Sequence, residues 1–512
     1  MAFSTLVLAA GAGTRMRSQK PKVAHEILGK PLVRWVVDAA YAAGSDNMFV
    51  LLGHGREQTE PLVPDTKIVY QDELLGTGHA VMMARSAVEA QGITELVVVS
   101  GDTPLLKPST LAKLVAHRTQ SNAAAGVLTF QAPDPHGYGR IIRSSLPEPP
   151  DGADNTTAGE SYLDNTLANG VISEAAAPAL ASLGDFERIV EEKDATAAQK
   201  RIREVNSGIY CFDCAALFSH LDRLEAKNAQ QEYYLTDVLA LMRAAGEKVI
   251  VVESADASEL MGINDRVQLA EAANVARRRI NEQHMRAGVT IHEPHSVWIG
   301  PDVQLENDVE ILPFTVLSGK TTVAWGSVIG PGSRVNNSTI GQSCVVDASV
   351  LVDVRLEDRV SIGPMAFLRP GTVMRSGSRA GTHVEIKNSD IGADAKVPHL
   401  SYIGDATLGS DVNIGAGSIT CNYDGFGKHP TVIGAHSFIG SDTMLVAPVI
   451  VGEHVVTGAG SVITTDVPDG ALAISRPEQR NVEGWTKRHE AELAQTHKES
   501  NERTDTQEKE RR

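Results

Sequence analysis

Ile433-Gly434-Ala435-His436-Ser437-Phe438-Ile439-Gly440-Ser441-Asp442-Thr443-Met444-Leu445-Val446-Ala447-Pro448-Val449-Ile450-Val451-Gly452 carries an aliphatic residue at every sixth position, and Thr457 keeps the phase. The same period runs through Ile299, Leu305 and Ile311, each followed four residues on by Val303, Val309 or Thr315. It returns at Val350, Leu356, Ile362 and Leu368, and again at Leu408 and Ile414. Glycine often follows the aliphatic position, as in Ile329-Gly330, Ile362-Gly363 and Ile414-Gly415. A six-residue period leaves room for one short strand and one turn, and three repeats close a triangular coil of a parallel β-helix. A β-sandwich would space its turn signals about 8–12 residues apart, which this pattern does not match.

Before residue 288 the chain reads differently. Short apolar runs (Thr5–Ala10, Met48–Leu52, Leu96–Ser100, Val249–Val252) alternate with Ala- and Leu-rich helical stretches. That alternation implies a mostly parallel sheet covered on both faces, with any active site beyond the carboxyl ends of its strands. Between the two halves, Leu269, Ala273, Ala276 and Ile280 have helical spacing and Gly288 is a stop signal, so 266–288 reads as a linker helix. Its Arg277-Arg278-Arg279 reads as a solvated face. The expected domains are therefore 1–265, the linker, a β-helix over 289–485 and a charged tail over 486–512. The tail has seven basic and seven acidic residues from Thr486 onward and reads as disordered. Ser144–Glu187 holds eight carboxylates and no Lys or Arg, and reads as an acidic insertion.

Over 512 residues, aromatics are only 4% while glycine reaches 45, which favours small, β-branched, repetitive packing over an aromatic core. A formal charge of −17 argues against a nucleic-acid-binding surface, though not against a local basic pocket for a nucleotide. Four cysteines are too few for a disulfide framework and suit a reducing cytoplasm. The N-terminus has no basic stretch before its apolar run and no 18-residue apolar span follows, so a soluble, cytoplasmic enzyme without an integral membrane segment is expected. Cys211-Phe212-Asp213-Cys214 could be redox-active or half a zinc site, but no second pair exists and buried small residues fit better.

Two features carry chemistry. Leu8-Ala9-Ala10-Gly11-Ala12-Gly13-Thr14-Arg15-Met16 follows the first strand but lacks the third glycine of a dinucleotide fingerprint. It suits a loop whose amides, from Gly11 onward, wrap a nucleotide, while Arg15 and Lys22 supply charge. Cleaving a triphosphate between its α and β phosphates builds negative charge on pyrophosphate, and cations placed over it lower the barrier. Asp102, at the end of Val97-Val98-Val99-Ser100-Gly101, is placed either to hold Mg²⁺ or to serve a turn ahead of the helix near Pro108.

With these motifs the N-terminal half is similar to the sugar-phosphate nucleotidyltransferases. From about Phe3 to Trp485 the chain resembles the bifunctional bacterial GlcNAc-1-phosphate uridyltransferase/glucosamine-1-phosphate acetyltransferase family. The resemblance implies a Rossmann-like α/β nucleotidyltransferase domain followed by a left-handed parallel β-helix of hexapeptide repeats. It places Gln71, Gly76 and Thr77 at uracil, Gly139, Glu191 and Asn206 at the sugar, and Asn264 with Asp102 at Mg²⁺. By residue type alone, Asn206 and Asn264 are ordinary turn residues. No protein nucleophile is required: the sugar phosphate attacks the α-phosphorus in line while Mg²⁺, Arg15 and Lys22 stabilise charge. The acidic insertion departs from the family's shorter connection and is expected to hang outside the site.

On the repeat, polar residues interrupt the pattern at particular places, and Tyr423–Pro430 breaks its rhythm as a loop. Acetylating an amino sugar needs a neutral amine and hence a base near pH 7. The resemblance makes His399 that base, with Arg369 and Lys387 on the sugar phosphate. Tyr402, Asn413, Asn422 and Tyr423 would bind or position the substrate. Ala416, Ser441, Ala459 and Arg476 would line the acetyl-CoA path. Val397-Pro398, just before the histidine, departs from many members. The implied partners are small molecules: glucosamine-1-phosphate and acetyl-CoA for one reaction, GlcNAc-1-phosphate and UTP for the next. A homotrimer built on the β-helix is also implied. Two alternatives stay open: a monofunctional nucleotidyltransferase using the repeat as scaffold, and a non-enzymatic regulatory subunit of the same two folds.

Overall fold

The computed structural model describes residues 3–11, 13–144 and 185–510, with side chains to residue 500. The expected acidic insertion lies outside the described residues except at its two ends. The chain divides into two compact units, Met1–Ser343 and Cys344–Arg512.

In the first unit, strands β1 (Phe3–Ala9), β2 (Ser45–Leu52), β3 (Lys67–Tyr70), β4 (Glu95–Ser100), β5 (Ala125–Gln131), β6 (Arg140–Arg143), β7 (Phe186–Val190), β8 (Glu204–Asp213) and β9 (Val249–Ser254) form one sheet. Its order is β9-β5-β8-β4-β1-β2-β3, with β6 pairing both β8 and β7. β1 lies parallel to β2 and β4, whereas β8 runs antiparallel to β4 and β5. Successive side chains bury on opposite faces. Leu6, Leu51 and Val98 join one core with helices α2 (Thr77–Glu89), α4 (Cys214–Leu221) and α5 (Thr236–Ala244). Val7, Val50 and Val99 join the other, against α1 (Leu32–Ala42) and α3 (Pro108–Gln120). Cys211 and Cys214 are buried free thiols, and burial pushes the Cys214 thiol up to about 12, so neither is a poised redox group.

Helix α6 (Arg266–Arg286) begins where the Asp265 side chain accepts from the Gln268 amide at 2.9 Å. Its arginine run is a clamp rather than the expected solvated face. Arg279 donates to the Leu105 carbonyl at 2.7 Å and to Ser258 Oγ at 2.9 Å, while the Arg277 guanidinium lies 4.9 Å over the Trp298 ring. Asn281 Nδ2 donates to the carbonyls of Pro294 and Val297. These contacts tie the helix to the start of the repeat, and the first unit accordingly takes in coils up to Ser343. There Trp298 pairs with Val316, and Val316 with Arg334, each 18 residues on, which is three six-residue repeats per coil.

The second unit continues as three parallel ladders of two- to four-residue strands. One ladder pairs Phe367 with Glu385, Glu385 with Tyr402, and Tyr402 with Ile419, at steps of 18, 17 and 17. Ile419 then pairs with Met444, a step of 25, because that coil carries the loop after Asn422. The six-residue aliphatics point inward: Ile362, Leu368, Ile386, Ile403 and Ile414 are all buried. The small residues of the pattern are buried as well, and their hydroxyls cap their own turns. Ser378 Oγ donates to the Arg375 carbonyl at 2.6 Å, and Ser418 Oγ to the Gly415 carbonyl at 2.8 Å. The tail differs from expectation: Trp485–Glu510 is one helix, α7, exposed over 485–500. The stretch contains neither Gly nor Pro and is rich in Glu, Lys, Arg, Ala and Gln, so local propensity favours helix without a buried face.

Ile386 lies between Leu368 and Ile403 of the neighbouring coils and is fully buried. Ile386→Ala should destabilise the protein by about 2–5 kcal/mol, read as a lower midpoint in denaturant unfolding.

Candidate functional site

A cavity of about 480 Å³ opens beyond the carboxyl ends of β1, β3 and β4. Eight residues singled out from sequence line it: Gly11, Lys22, Gln71, Gly76, Thr77, Asp102, Glu191 and Asn206. Three others border that group through contacts. Arg15 Nη2 donates to Asn264 Oδ1 at 2.9 Å, and the Gly139 carbonyl accepts from the Asn206 amide at 2.8 Å.

The electrostatic centre is Lys22. Its ammonium pairs with Asp102 Oδ2 and also lies 3.2 Å from Asn264 Oδ1. Two side-chain oxygens thus converge on one positive charge. Burial pushes the Asp102 carboxyl up, but Lys22, together with the 2.6 Å bond from Ser100 Oγ, holds it below the usual carboxylate range. Asp102 therefore stays ionised despite being 9% exposed. Its backbone carbonyl also accepts from the Ile263 amide at 3.0 Å, which brings the Asn264 segment to the strand end.

The side of the cavity expected from sequence to hold the sugar is built differently. Burial pushes the Glu191 carboxyl above its ordinary value, with Asp237 and Asp194 nearby, although Thr236 Oγ1 donates to it at 3.3 Å. Asn206 Nδ2 donates to the Tyr210 hydroxyl at 2.7 Å, which orients the amide. Gly139 is required by close approach: a Cβ there would stand 2.9 Å from Ile189 Cγ2 and 3.3 Å from both Glu191 oxygens. Gly76 has φ +104°, and a Cβ would meet the Tyr233 carbonyl at 2.6 Å. Sequence reasoning missed Ser100, Thr236 and Tyr210, which line the cavity and bond Asp102, Glu191 and Asn206 only once the sheet has folded.

On the repeat, the residues fall on successive coils. The Arg369 amide bonds the Ile386 carbonyl, so Arg369 sits one coil before Lys387, and Lys387 pairs in register with Gly404. Lys387 Nζ lies 3.8 Å from Asp405 Oδ2, which also accepts from Asn422 Nδ2 at 2.5 Å. Asn422 Nδ2 is 3.5 Å from the Tyr402 hydroxyl. Burial pushes Asp405 up, yet Asn388, Asn422 and two lysines bring it below the ordinary range. The Lys387 ammonium pushes Lys428 down, as two adjacent cations must. Asp405 and Lys428 were not singled out from sequence. Asn388, Asp405 and Asn422 stand 17 apart, one coil each, and that spacing was the available signal.

His399 is exposed, and among the described residues no side chain bonds its imidazole. Its carbonyl accepts from Gly417 N at 3.4 Å, next to Ala416; the Ala416 carbonyl accepts from Asp442 N, and the Ser441 carbonyl from Gly460 N. His399, Ala416, Ser441 and Ala459 therefore line one corner on consecutive coils, and Arg476 Nη1 donates to the Ala459 carbonyl at 2.8 Å. Asn413 pairs with Lys396, placing it one coil beyond the His399 strand. Arg369 is held by Glu385 at 2.8 Å. Tyr423 is exposed at the base of its loop, which Asp424 closes by accepting from the amides of Phe426 and Gly427. A second cleft of about 470 Å³ beside Asn388, Asp405 and Lys428 is lined by none of the residues expected for acetyl transfer. One chain thus brings Lys387, Tyr402 and Asn422 together around Asp405, while His399 ends the strand that runs three residues ahead of Tyr402.

Comparison with known proteins matches residues 5–183 to the MobA-like NTP transferase domain and residues 430–465 to the bacterial transferase hexapeptide (six repeats) family. The chain is 46% identical over 483 residues to the "Bifunctional protein GlmU" of Heliobacterium modesticaldum, covering 94% of this chain and 97% of that one. It is 45% identical over 482 residues to that of Caldanaerobacter subterraneus, at 94% and 97% coverage. For Syntrophomonas wolfei the figures are 42% over 484 residues, 94% and 99%.

The raised Glu191 carboxyl has a consequence for stability. A carboxyl whose folded pKa lies above its unfolded value contributes stability below the unfolded value and loses it as pH rises through the folded one. Glu191→Gln should therefore melt higher than the parent at pH 8, and the gap should close near about pH 4. Melting curves at the two pH values check this.

Proposed function

Because this chain belongs to the bifunctional GlmU family, we propose that its two halves carry out successive steps of UDP-GlcNAc synthesis. The repeat half transfers acetyl from acetyl-CoA to glucosamine-1-phosphate; the N-terminal half transfers uridylyl from UTP to GlcNAc-1-phosphate and releases pyrophosphate. The product is a precursor for peptidoglycan and other envelope polymers. The observation that carries the first site is the convergence of eight expected residues on one cavity at the strand ends.

In the uridylyl step a phosphate oxygen of the sugar phosphate attacks the α-phosphorus of UTP, and the bond to pyrophosphate breaks. Gln71, Gly76 and Thr77 hold the base, while Gly139, Glu191 and Asn206 hold the sugar. Arg15 and Lys22 neutralise the departing pyrophosphate. Asp102 and Asn264 are proposed as the Mg²⁺ ligands. An anionic carboxylate oxygen and an amide oxygen already facing one ammonium are a donor set suited to a hard cation that completes its shell with phosphates and water. When bound, the ion would neutralise phosphate charge. Lys22 would then turn from Asp102 to the phosphates.

In the acetyl step the neutral sugar amine attacks the thioester carbonyl, the carbon–sulfur bond breaks to expel CoA as thiolate, and His399 takes the amine proton and returns it to the leaving sulfur. Arg369 and Lys387 bind the sugar phosphate, with Tyr402, Asn413, Asn422 and Tyr423 around the sugar. Ala416, Ser441, Ala459 and Arg476 guide acetyl-CoA along the corner ladder. The exposure of Met365, Leu400 and Phe426 on the repeat supports a homotrimer whose acetyl-transfer sites lie between subunits. Among the described residues no helix is long and apolar enough to cross a membrane; we read the enzyme as cytoplasmic, with small-molecule partners and no nucleic acid.

Two assays test the assignment separately. Free-thiol release from acetyl-CoA with glucosamine-1-phosphate should fall about 10²–10⁴-fold in His399→Ala, while pyrophosphate release from UTP and GlcNAc-1-phosphate persists. Asp102→Ala should show the opposite pattern. Thiol release that ignores His399→Ala would remove the base assignment, and its absence in the parent would reduce the repeat to a scaffold.

A further inference from the structure

Gln71 follows β3 with its side chain buried in the cavity wall and its backbone N–H donating to the Leu52 carbonyl at 2.8 Å. Its Nε2 donates to the Gly76 carbonyl at 3.3 Å and lies 3.0 Å from Nδ1 of His79, in the first turn of α2. A carbonyl can only accept, so Gly76 determines which end of the Gln71 amide is nitrogen. His79 Nδ1 must then accept from the same nitrogen, and its proton sits on Nε2. Both bonds engage Nε2. Among the described residues no donor reaches Gln71 Oε1, which is the polar atom left for the cavity.

We propose that His79 is a positioning residue that locks the Gln71 amide with its oxygen toward the cavity, so that the base site selects a pyrimidine bearing a ring N–H. The inference rests on the uridylyl-transfer reading and names the residue behind its base preference. Uracil carries an N–H between two carbonyls and can donate to Oε1. Cytosine has a bare ring nitrogen at that position, which would set acceptor against acceptor in a desolvated wall. The Gly76 bond alone is long. Removing the His79 acceptor leaves the amide one bond to lose on turning over, and a turned amide offers cytosine a donor.

The test is calorimetric titration of UTP and CTP into the full-length parent, His79→Phe and His79→Asn. Phenylalanine keeps the ring and removes the acceptor; asparagine can return an oxygen near the Nδ1 position. The parent should bind UTP at least about tenfold tighter than CTP. His79→Phe should lose most of that preference through weaker UTP binding, with the kinetic loss falling on KM rather than kcat, and His79→Asn should regain it. A preference in His79→Phe within about twofold of the parent's, or a parent without preference, overturns the proposal. Nitrogen-15 NMR of the parent reads the tautomer whether or not the variants fold: a proton on Nε2 supports the proposal and a proton on Nδ1 overturns it. Absence of pyrophosphate release by the parent would sink the uridylyl-transfer reading alone, leaving base preference and tautomer to decide this one.

Discussion

Strands of two to four residues cannot satisfy their own backbone, so every coil of the repeat depends on the amide and carbonyl groups of the coil 17 or 18 residues away. That dependence dictates the rest of the half. Aliphatics fill the interior at one position per repeat, and a buried hydroxyl closes each turn, as Ser378 and Ser418 do. Residues on the outer surface carry no packing duty. Lys387, Gly404 and Cys421 occupy equivalent places on successive coils, and the polar group around Asp405 assembles from neighbours that sequence distance alone would separate.

The N-terminal half solves another problem. A buried carboxylate stays ionised only with close partners, and Lys22 with Ser100 keeps Asp102 so. The same lysine faces Asn264, whose amide oxygen also takes the Arg15 guanidinium. Lys22 and Asp102 thus compensate each other, whereas Arg15 meets only a neutral amide oxygen, so the cluster keeps an excess positive charge. Around Glu191 charge is disfavoured instead: burial raises its carboxyl, and among the described residues no cation pairs with it as Lys22 does with Asp102.

Much of this was legible in the chain. The six-residue period determined the repeat because a coil of three short strands leaves an unambiguous inward position. Gly11, Arg15, Lys22 and Asp102 stood out because phosphate chemistry needs amides, cations and a carboxylate at strand ends. What stayed hidden was tertiary. Thr236 and Tyr210 reach the cavity wall, and bond Glu191 and Asn206, only in the folded chain, and Arg277 and Arg279 looked solvated until Trp298 and Leu105 were beside them. The terminal helix was missed because a charged, apolar-poor stretch was weighed for burial and not for intrinsic helix preference.

The coil between Ile419 and Met444 holds 25 positions, yet the strands on either side of it keep their register. A solenoid therefore counts corners rather than residues. Its ladder is blind to what leaves and returns at a single corner, provided the exit and the re-entry stay one coil apart. A longer or shorter excursion at that corner would leave the rungs above and below it aligned, so the framework and the loop are mechanically independent.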